Sequence, residues 1–423
     1  MSIGQKRGAI IILALLFGCV LTLPGVGASA EIGLKFYGYF SSIYENTGEM
    51  PDGSNDPGEI GYPHFNLMGQ SSISDNFRIY MNLAGSPGDD PMLLEMKLKN
   101  YWGEYTYRDY LKFRFGLLYR RFDLFNEKLD AVPTYLGIEP PELFDGDHLM
   151  LPRTTNLMIH GNLPVGNGMV SYAFQTGNSE VVTNYNPVSI DLRYSPTTMF
   201  IVGTSAYWAN EKAGSPIGIG DGPPTGGIYP WMASDKYNVM GAYAEAHFSA
   251  LTLEVAYWKS NHEAVRDPNL VVDLYNTGTR LTKLQQERMG LDAYSTSNNI
   301  SDIKTDGTFE IDTYYLRAGY DIPGGTIPGI SWELIPYLFW DYYSNPEVIG
   351  KKKFGGDNEA GISDDGKFSK STFGISIKPV DNVAIKLDGS SHMYKWTDLG
   401  TPGATSEDVH YEEFRFDVSY FFK

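Results

Sequence analysis

Residues 77–83 read Phe-Arg-Ile-Tyr-Met-Asn-Leu, with apolar side chains at every second position and polar or amphipathic ones between them. Successive side chains of a β-strand point to opposite faces, so this stretch predicts a strand with one apolar and one polar face. The same period of two recurs at 94–99, 111–117, 190–194, 253–257, 314–320, 373–378 and 383–388. Counting all such segments predicts about sixteen strands, and therefore an all-β fold.

The connections between the predicted strands alternate between short and long. Tight turns are predicted at 74–76, 108–109, 165–168, 195–197, 249–250, 322–329 and 380–382, and long connections at 46–60, 120–152, 210–236, 261–308, 344–368 and 397–409. All long connections then lie at one end of the sheet. Short periplasmic turns and long external loops are typical of outer-membrane barrels. Because a sheet in lipid must pair every backbone group, we predict a closed antiparallel transmembrane β-barrel.

The composition agrees with a sheet that has lipid on one face and water on the other. The chain has 30 Tyr, 22 Phe, 7 Trp and 46 Gly residues, yet only 42% of all its residues are hydrophobic. After Glu31 no apolar run approaches the length of a membrane-spanning helix. Aromatic residues concentrate near the predicted strand ends, where they predict the girdles of a membrane barrel, or alternatively a stacking surface along its channel.

Residues 1–30 have the pattern of a cleaved signal peptide. Lys6 and Arg7 precede an apolar run, and Ala28-Ser29-Ala30 supplies small residues before the predicted cleavage site. The alternatives are a membrane anchor and a lipoprotein site at Cys19. The apolar run is shorter than the roughly 20 residues that span a bilayer, and Phe17 is bulky for a lipoprotein signal. Residues 31–423 are therefore predicted to be one cysteine-free barrel domain, exported to a bacterial outer membrane.

Two local features add to this architecture. The basic strand Lys112-Phe113-Arg114-Phe115-Gly116 leads into the long connection 120–152, and the last strand alternates Phe414, Phe416, Val418, Tyr420 and Phe422. With these features the chain resembles the sixteen-stranded bacterial outer-membrane porin superfamily, both general and phosphate-selective-like members. It departs from the pattern in one place, since porins usually end on the aromatic residue and this chain ends on Lys423. The resemblance implies that connection 120–152 folds inward and narrows the pore, and that the protein forms a homotrimer.

Charged residues suggest where passage through the barrel is controlled. Five cations on three consecutive strands are predicted to face the lumen and are called the basic ladder: Arg78, Lys97, Lys99, Lys112 and Arg114. Connection 120–152 carries the predicted constriction-loop acids Asp123, Glu127, Asp130, Glu139, Glu142, Asp145 and Asp147. If the loop folds inward, acids face a basic wall. Rings of charge of this kind set ion preference.

The sequence predicts a passive channel for small hydrophilic solutes and ions, surrounded by outer-membrane lipid and lipopolysaccharide. One alternative is an anion- or phosphate-selective channel, and another is a structural barrel that anchors or sheathes an envelope partner. Without Lys6 and Arg7 the chain has 31 basic and 51 acidic residues, a net charge of −20, which argues against nucleic-acid binding. The histidines are scattered, and no HExxH, G-x-S-x-G or Walker-type motif occurs. We therefore expect no catalytic residues, no metal site and no cofactor.

Overall fold

The computed structural model of the chain is a single antiparallel sheet with a few short helices in its connections. It describes residues 33–48, 56–60, 64–87, 94–128, 136–141, 144, 153–178, 186–212, 229, 231–277, 281–348, 363–398 and 404–422. The predicted signal peptide, 1–30, lies outside these residues. The strands are β1 (Leu34–Thr47), β2 (Asp56–Ile60), β3 (His64–Ser74), β4 (Phe77–Pro87), β5 (Leu94–Arg108), β6 (Leu111–Tyr119), β7 (Arg153–Val165), β8 (Gly168–Gly177), β9 (Val188–Thr197), β10 (Phe200–Lys212), β11 (Met232–Phe248), β12 (Leu251–Arg266), β13 (Phe309–Tyr320), β14 (Glu333–Ser344), β15 (Lys367–Val380), β16 (Val383–Trp396) and β17 (Glu407–Phe422).

The sheet closes on itself between its first and last strands. β1 pairs with β17 in an antiparallel register that runs from Gly38 opposite Phe422 to Thr47 opposite Glu413. The short β2 pairs with the end of β1, and β3 pairs with the beginning of β1. β2 and β3 thus occupy the place of one strand beside β1, so the seventeen segments form sixteen barrel strands. The prediction of a closed sixteen-stranded antiparallel barrel is confirmed.

The two faces of the barrel differ in polarity in the way that the alternation predicts. Phe373 on β15 points outward and is 67% exposed, while its neighbour Thr372 points inward and is buried. On β17 Phe414 is exposed outside, whereas Arg415 and Asp417 are buried inside. An apolar outer surface and a polar inner one are the arrangement of a transmembrane barrel, which inverts the usual pattern of a soluble protein.

Six connections are two-residue turns, and we call the end of the barrel where they lie the turn end. They occur at 75–76, 109–110, 166–167, 198–199, 249–250 and 381–382. Five of them overlap predicted turns, whereas residues 195–197, predicted as a turn, lie in β9 and the turn follows at 198–199. The turn predicted at 322–329 lies within the longer connection between β13 and β14. Ser249 and Gly166 adopt φ values of 57° and 60°, the left-handed conformation that tight hairpin turns require. The long connections lie at the opposite end, which we call the loop end.

Pro336 lies within β14 and limits its pairing on one side. β14 pairs with β13 from Ser344 to Tyr337 and the pairing stops there, one residue before the proline. On the other side Pro336 stays in register opposite Ile375 of β15. A proline has no backbone N–H to donate, so it is tolerated in a strand only where a ladder hydrogen bond is absent.

The loop-end connection between β12 and β13 contains helices that the alternation did not predict. They are α1 (Pro268–Asn276), α2 (Lys283–Met289) and α3 (Leu291–Ser297). Their start signals are nevertheless present in the sequence. Asp267 directly precedes a proline, and its side chain accepts a hydrogen bond from the Asn269 amide. Thr282 forms a capping box with Gln285. None of the helices in the described part of the chain is long and apolar enough to cross a membrane.

Arg266, at the end of β12, ties this helical connection to the neighbouring loop. Its Nη2 lies 2.7 Å from Glu347 Oε2, and both side chains are buried. Arg288 of α2 reaches the same carboxylate at 3.2 Å, and Trp231 Nε1 donates to it at 3.1 Å. The carboxylate of Glu347 therefore joins the helical connection to the described part of the connection that follows β14.

Replacement of Phe373 by arginine tests the membrane-facing assignment. We expect Phe373→Arg to reduce the free energy of folding into lipid vesicles by about 2–4 kcal/mol, because the charge enters hydrocarbon near the middle of the strand. Phe373→Leu keeps the site apolar and serves as the control, with a much smaller effect. Denaturant titration in vesicles measures both, and equal stabilities of the two variants would contradict the assignment.

Candidate functional site

The basic ladder lies on β4, β5 and β6, and its members sit at different heights along the barrel. Arg78 and Arg114 both face Glu104 of β5 across their strand pairs. Lys112 lies one inward position closer to the turn end, 3.9 Å from Asp109. The two remaining members of the ladder, Lys97 and Lys99, lie on β5.

Lys97 and Lys99 flank an irregularity in β5. Lys97 is in register with the inward-facing Ala84 and is exposed. Lys99 is an extra residue, since Asn82 pairs with Asn100 and Leu83 with Leu98. This is a β-bulge, in which two residues of one strand oppose one of its neighbour. After the bulge, the residues of β5 that would otherwise face outward face inward. Glu104 therefore lies on the inner wall.

Glu104, which the sequence reasoning missed, is the centre of the ladder. Its side chain is only 1% exposed and accepts hydrogen bonds from Arg78 Nε and Arg114 Nε, each at 2.8 Å. His160 Nε2 on β7 lies 2.9 Å from the same carboxylate. A buried carboxylate needs such partners, because desolvation of an unpaired charge is costly. Glu104 thus neutralises part of the positive charge of this wall.

The first part of connection 120–152 packs against the inner wall through Asp123. The Asp123 carboxylate is buried and accepts hydrogen bonds from Trp258 Nε1 at 2.9 Å and from Tyr315 Oη at 2.8 Å. It also caps the backbone N–H groups of Leu124 and Phe125. The backbone of Asp123 has a φ of 59°, a conformation that aspartate tolerates better than most residues. Burial raises the pKa of Asp123 above its ordinary value despite these hydrogen bonds.

Glu127 lies farther along the same segment and keeps contact with solvent. Its side chain is 34% exposed, 3.5 Å from Arg193 and 3.9 Å from Arg121. Burial by itself would raise the pKa of Glu127, but the charges of Arg193, Arg121 and Arg114 outweigh it and lower the pKa. The influence of Arg114 shows that this acid of the loop lies within electrostatic range of the basic ladder.

The second described part, residues 136–141, continues along the wall to the last strands. Glu139 lies 2.5 Å from both Lys370 of β15 and Arg415 of β17. The Gly137 carbonyl accepts a hydrogen bond from Lys386 at 2.7 Å. Gly137 has a φ of 80°, and a Cβ there would clash with the ring of Phe339. The described parts of the connection therefore touch inward-facing side chains from β9 to β17.

The loop leaves the ladder side of the wall accessible to solvent. Arg78 is 37% exposed, and Lys112 and Arg114 are partly exposed. The wall residues beneath the loop, such as Trp258 and Lys386, are buried. Of the predicted acids, Asp123, Glu127 and Glu139 pair with the wall under the loop, whereas Asp130, Glu142, Asp145 and Asp147 lie outside the described residues.

Three carboxylates come close enough together to resemble a metal site. Ligand atoms of Glu45, Glu139 and Glu413 all lie within 4.8 Å of one another. Arg415, however, forms ion pairs with all three, and Lys370 pairs with Glu139. These cations already supply the positive charge that a metal ion would bring. The cluster is explained as an ion-pair network that holds the loop.

A second cluster has the connectivity of a hydrolase relay. Ser260 Oγ lies 2.7 Å from His262 Nε2, and His262 Nδ1 lies 2.6 Å from Asp235. All three side chains are buried, and the imidazole is enclosed between the rings of Tyr237 and Phe309. A nucleophile must meet its substrate, so this buried relay carries no argument for catalysis. It satisfies a buried aspartate.

No family model matches this chain, and no curated protein sequence matches it. Several solved structures match this chain. The anion-selective porin from Comamonas acidovorans aligns with a TM-score of 0.57 and 10% identity over 93% of this chain and 100% of that one. The outer membrane channel DcaP of Acinetobacter baumannii gives 0.53 and 9% over 95% and 100%. OmpT, an outer membrane protein of Vibrio cholerae, gives 0.52 and 11% over 93% and 100%.

The chain has the porin fold. At these identities the likeness concerns the fold alone, and it agrees with the closed sixteen-stranded barrel described above. The described parts of connection 120–152, residues 120–128 and 136–141, lie against the inner wall chiefly through Asp123 and Glu139.

Replacement of Asp123 tests how the loop is held. Asp123→Ala removes the acceptor of two buried donors, Trp258 Nε1 and Tyr315 Oη, and each unsatisfied donor costs about 1–3 kcal/mol. We expect a loss of about 2–5 kcal/mol in denaturant titration, together with faster proteolysis within 120–152. Asp109→Ala, at a turn position that is 94% exposed, is the control. A stability within about 0.5 kcal/mol of the wild type would contradict the anchoring role.

Proposed function

We propose that the barrel is an outer-membrane porin that forms a water-filled channel for the passive diffusion of small hydrophilic solutes and ions. The observation that carries this proposal is the solvent-exposed basic ladder on the inner wall of a closed sixteen-stranded barrel. Barrels of about sixteen strands are wide enough to leave an aqueous channel, whereas eight strands leave room only for side chains. The described residues support no catalytic role.

Connection 120–152 is proposed to narrow the channel from the β9–β17 side. It is anchored there by Asp123 and Glu139, and its Glu127 lies within electrostatic range of Arg114. The narrowest passage would then run between the loop and the ladder. Charges at such a constriction act strongly because side chains have displaced much of the water.

The proposal includes the surroundings of the barrel. The exposed apolar outer face suits the lipid of a bacterial outer membrane, with lipopolysaccharide around the loop end. A homotrimer is proposed by analogy with the porin fold, and oligomeric state is measured by cross-linking in detergent.

Single-channel recording tests the channel itself. The refolded protein in a planar bilayer is expected to show discrete steps whose current rises in proportion to voltage. Heat-unfolded protein is the control and gives no steps. Failure of correctly folded protein to conduct would refute the proposal and favour a structural barrel instead.

The basic ladder favours a channel that is selective for anions, which is a more specific form of the proposed function. It has five cations, of which Arg78 and Arg114 share the carboxylate of Glu104 and Lys112 lies near Asp109, so cations outnumber these acids on this wall. A solved structure with the same fold is named an anion-selective porin. Opposite charge on the wall raises the local concentration of permeating anions.

Neutralising the ladder tests this selectivity. In a KCl gradient, the triple variant Lys97→Gln, Lys99→Gln and Arg114→Gln is expected to shift the reversal potential towards that of potassium, because the wall loses three positive charges. The shift should shrink at high salt, where charges are screened.

The matched control removes the same charge from the outer face of the barrel. Lys212, Lys236 and Lys259 point outward near the loop end, and their replacement by glutamine should leave the reversal potential close to that of the wild type. Equal shifts in the two triple variants, or none in either, would rule out selectivity by the ladder.

A further inference from the structure

Trp102 lies at the middle of the ladder wall and joins its charged and aromatic groups. Its ring centroid is 4.2 Å from Arg114 Cζ and 5.4 Å from Arg78 Cζ. The ring of Tyr80, directly opposite on β4, stacks on it at 5.1 Å and 20°. Both aromatic rings are only half-buried. The wall therefore presents an aromatic surface flanked by two guanidinium groups.

The neighbouring strand approaches the backbone of Trp102 closely. Gly116 of β6 lies in register with Trp102 and has a φ of 136°. A Cβ at Gly116 would come within 2.3 Å of the Tyr101 carbonyl oxygen and 2.8 Å of Trp102 Cα. Farther on, Trp102 packs against the buried side chains of Leu118 and Met158. These contacts fix the position of the ring, so its surface is preorganised.

Glu104 orients the two arginines but does not use all their donors. Arg78 bonds it through both Nε and Nη2. Arg114 bonds it through Nε, and within the described part of the chain its terminal amino groups make no hydrogen bond. The outer edge of a guanidinium matches the two oxygens of a carboxylate, with which it forms paired parallel hydrogen bonds. Arg114 thus has an unused fork beside an aromatic surface.

We propose that Trp102, Tyr80 and Arg114 form a subsite for carboxylate anions that carry an aromatic ring. The carboxylate binds the free edge of Arg114, and the ring of the solute stacks against the aromatic pair. This subsite rests on the proposed function and names a solute class for the same channel. Because Glu104 neutralises half of the charge of the two arginines, the solute is held weakly enough to leave, as conduction requires.

Current block by two matched anions tests the subsite. Benzoate and cyclohexanecarboxylate have the same charge and nearly the same size, and they differ in the aromaticity of the ring. In planar bilayers we expect benzoate to reduce the chloride current at a concentration about two- to tenfold lower, the factor that ring stacking supplies. Trp102→Leu should abolish this difference. Trp340→Leu, an outward ring on β14, is the control and should preserve it.

A second variant tests the carboxylate contact without removing charge. Arg114→Lys keeps the cation but lacks the planar fork, so block by benzoate should weaken several-fold. Equal block by the two anions in the wild type, or a benzoate preference that survives Trp102→Leu, would overturn the subsite. A folded protein that does not conduct refutes the channel itself, whereas an ohmic channel without ring preference refutes only the subsite.

Discussion

The closed ring of backbone hydrogen bonds is the constraint on which the rest of this structure depends. In hydrocarbon an unpaired backbone N–H or C=O costs several kcal/mol, so a spanning sheet cannot end in a free edge. The pairing of β1 with β17 removes that edge. Once the cylinder is closed, every strand has one face in lipid and one face towards the lumen, and the alternating sequence follows from this geometry.

In the closed barrel the charged side chains of the wall lie on the inside, where many of them are buried. The inner wall carries many ionisable side chains, and the described parts of connection 120–152 contact several of them between β9 and β17. They are tolerated because they are paired: Arg415 lies between Glu139 and Glu413, and Glu104 lies between two arginines. Removing one partner of such a pair leaves an uncompensated charge, which costs several kcal/mol. The same pairs that hold the described parts of the loop also decide which wall charges remain without an opposite charge beside them.

The β-bulge at Lys99 shows how one residue can change which side chains face the inside of the barrel. Leu94, Met96 and Leu98 alternate with Lys97 and Lys99, and strict continuation of that pattern would turn Glu104 towards lipid. The extra residue shifts the register by one and turns Trp102 and Glu104 inward instead. A one-residue shift moves every following side chain to the other face. Glu104, the centre of the ladder, therefore faces inward only because of a β-bulge that the alternating pattern of the sequence does not predict.

The sequence by itself determined the fold class, the sixteen strands and the positions of the turns, because lipid and water impose a period of two and because short and long connections alternate. The alternation did not predict α1 and α2, although their capping residues are present in the sequence. Tertiary structure alone decided that Trp258 is an inner-wall residue holding Asp123 while the adjacent Tyr257 is exposed outside. It also decided that Glu104 neutralises the ladder and that Glu139 meets Lys370 and Arg415. The partners of Asp123 and Glu139 lie more than a hundred residues away in the chain, and the closed barrel with this segment inside it brings them within hydrogen-bonding distance.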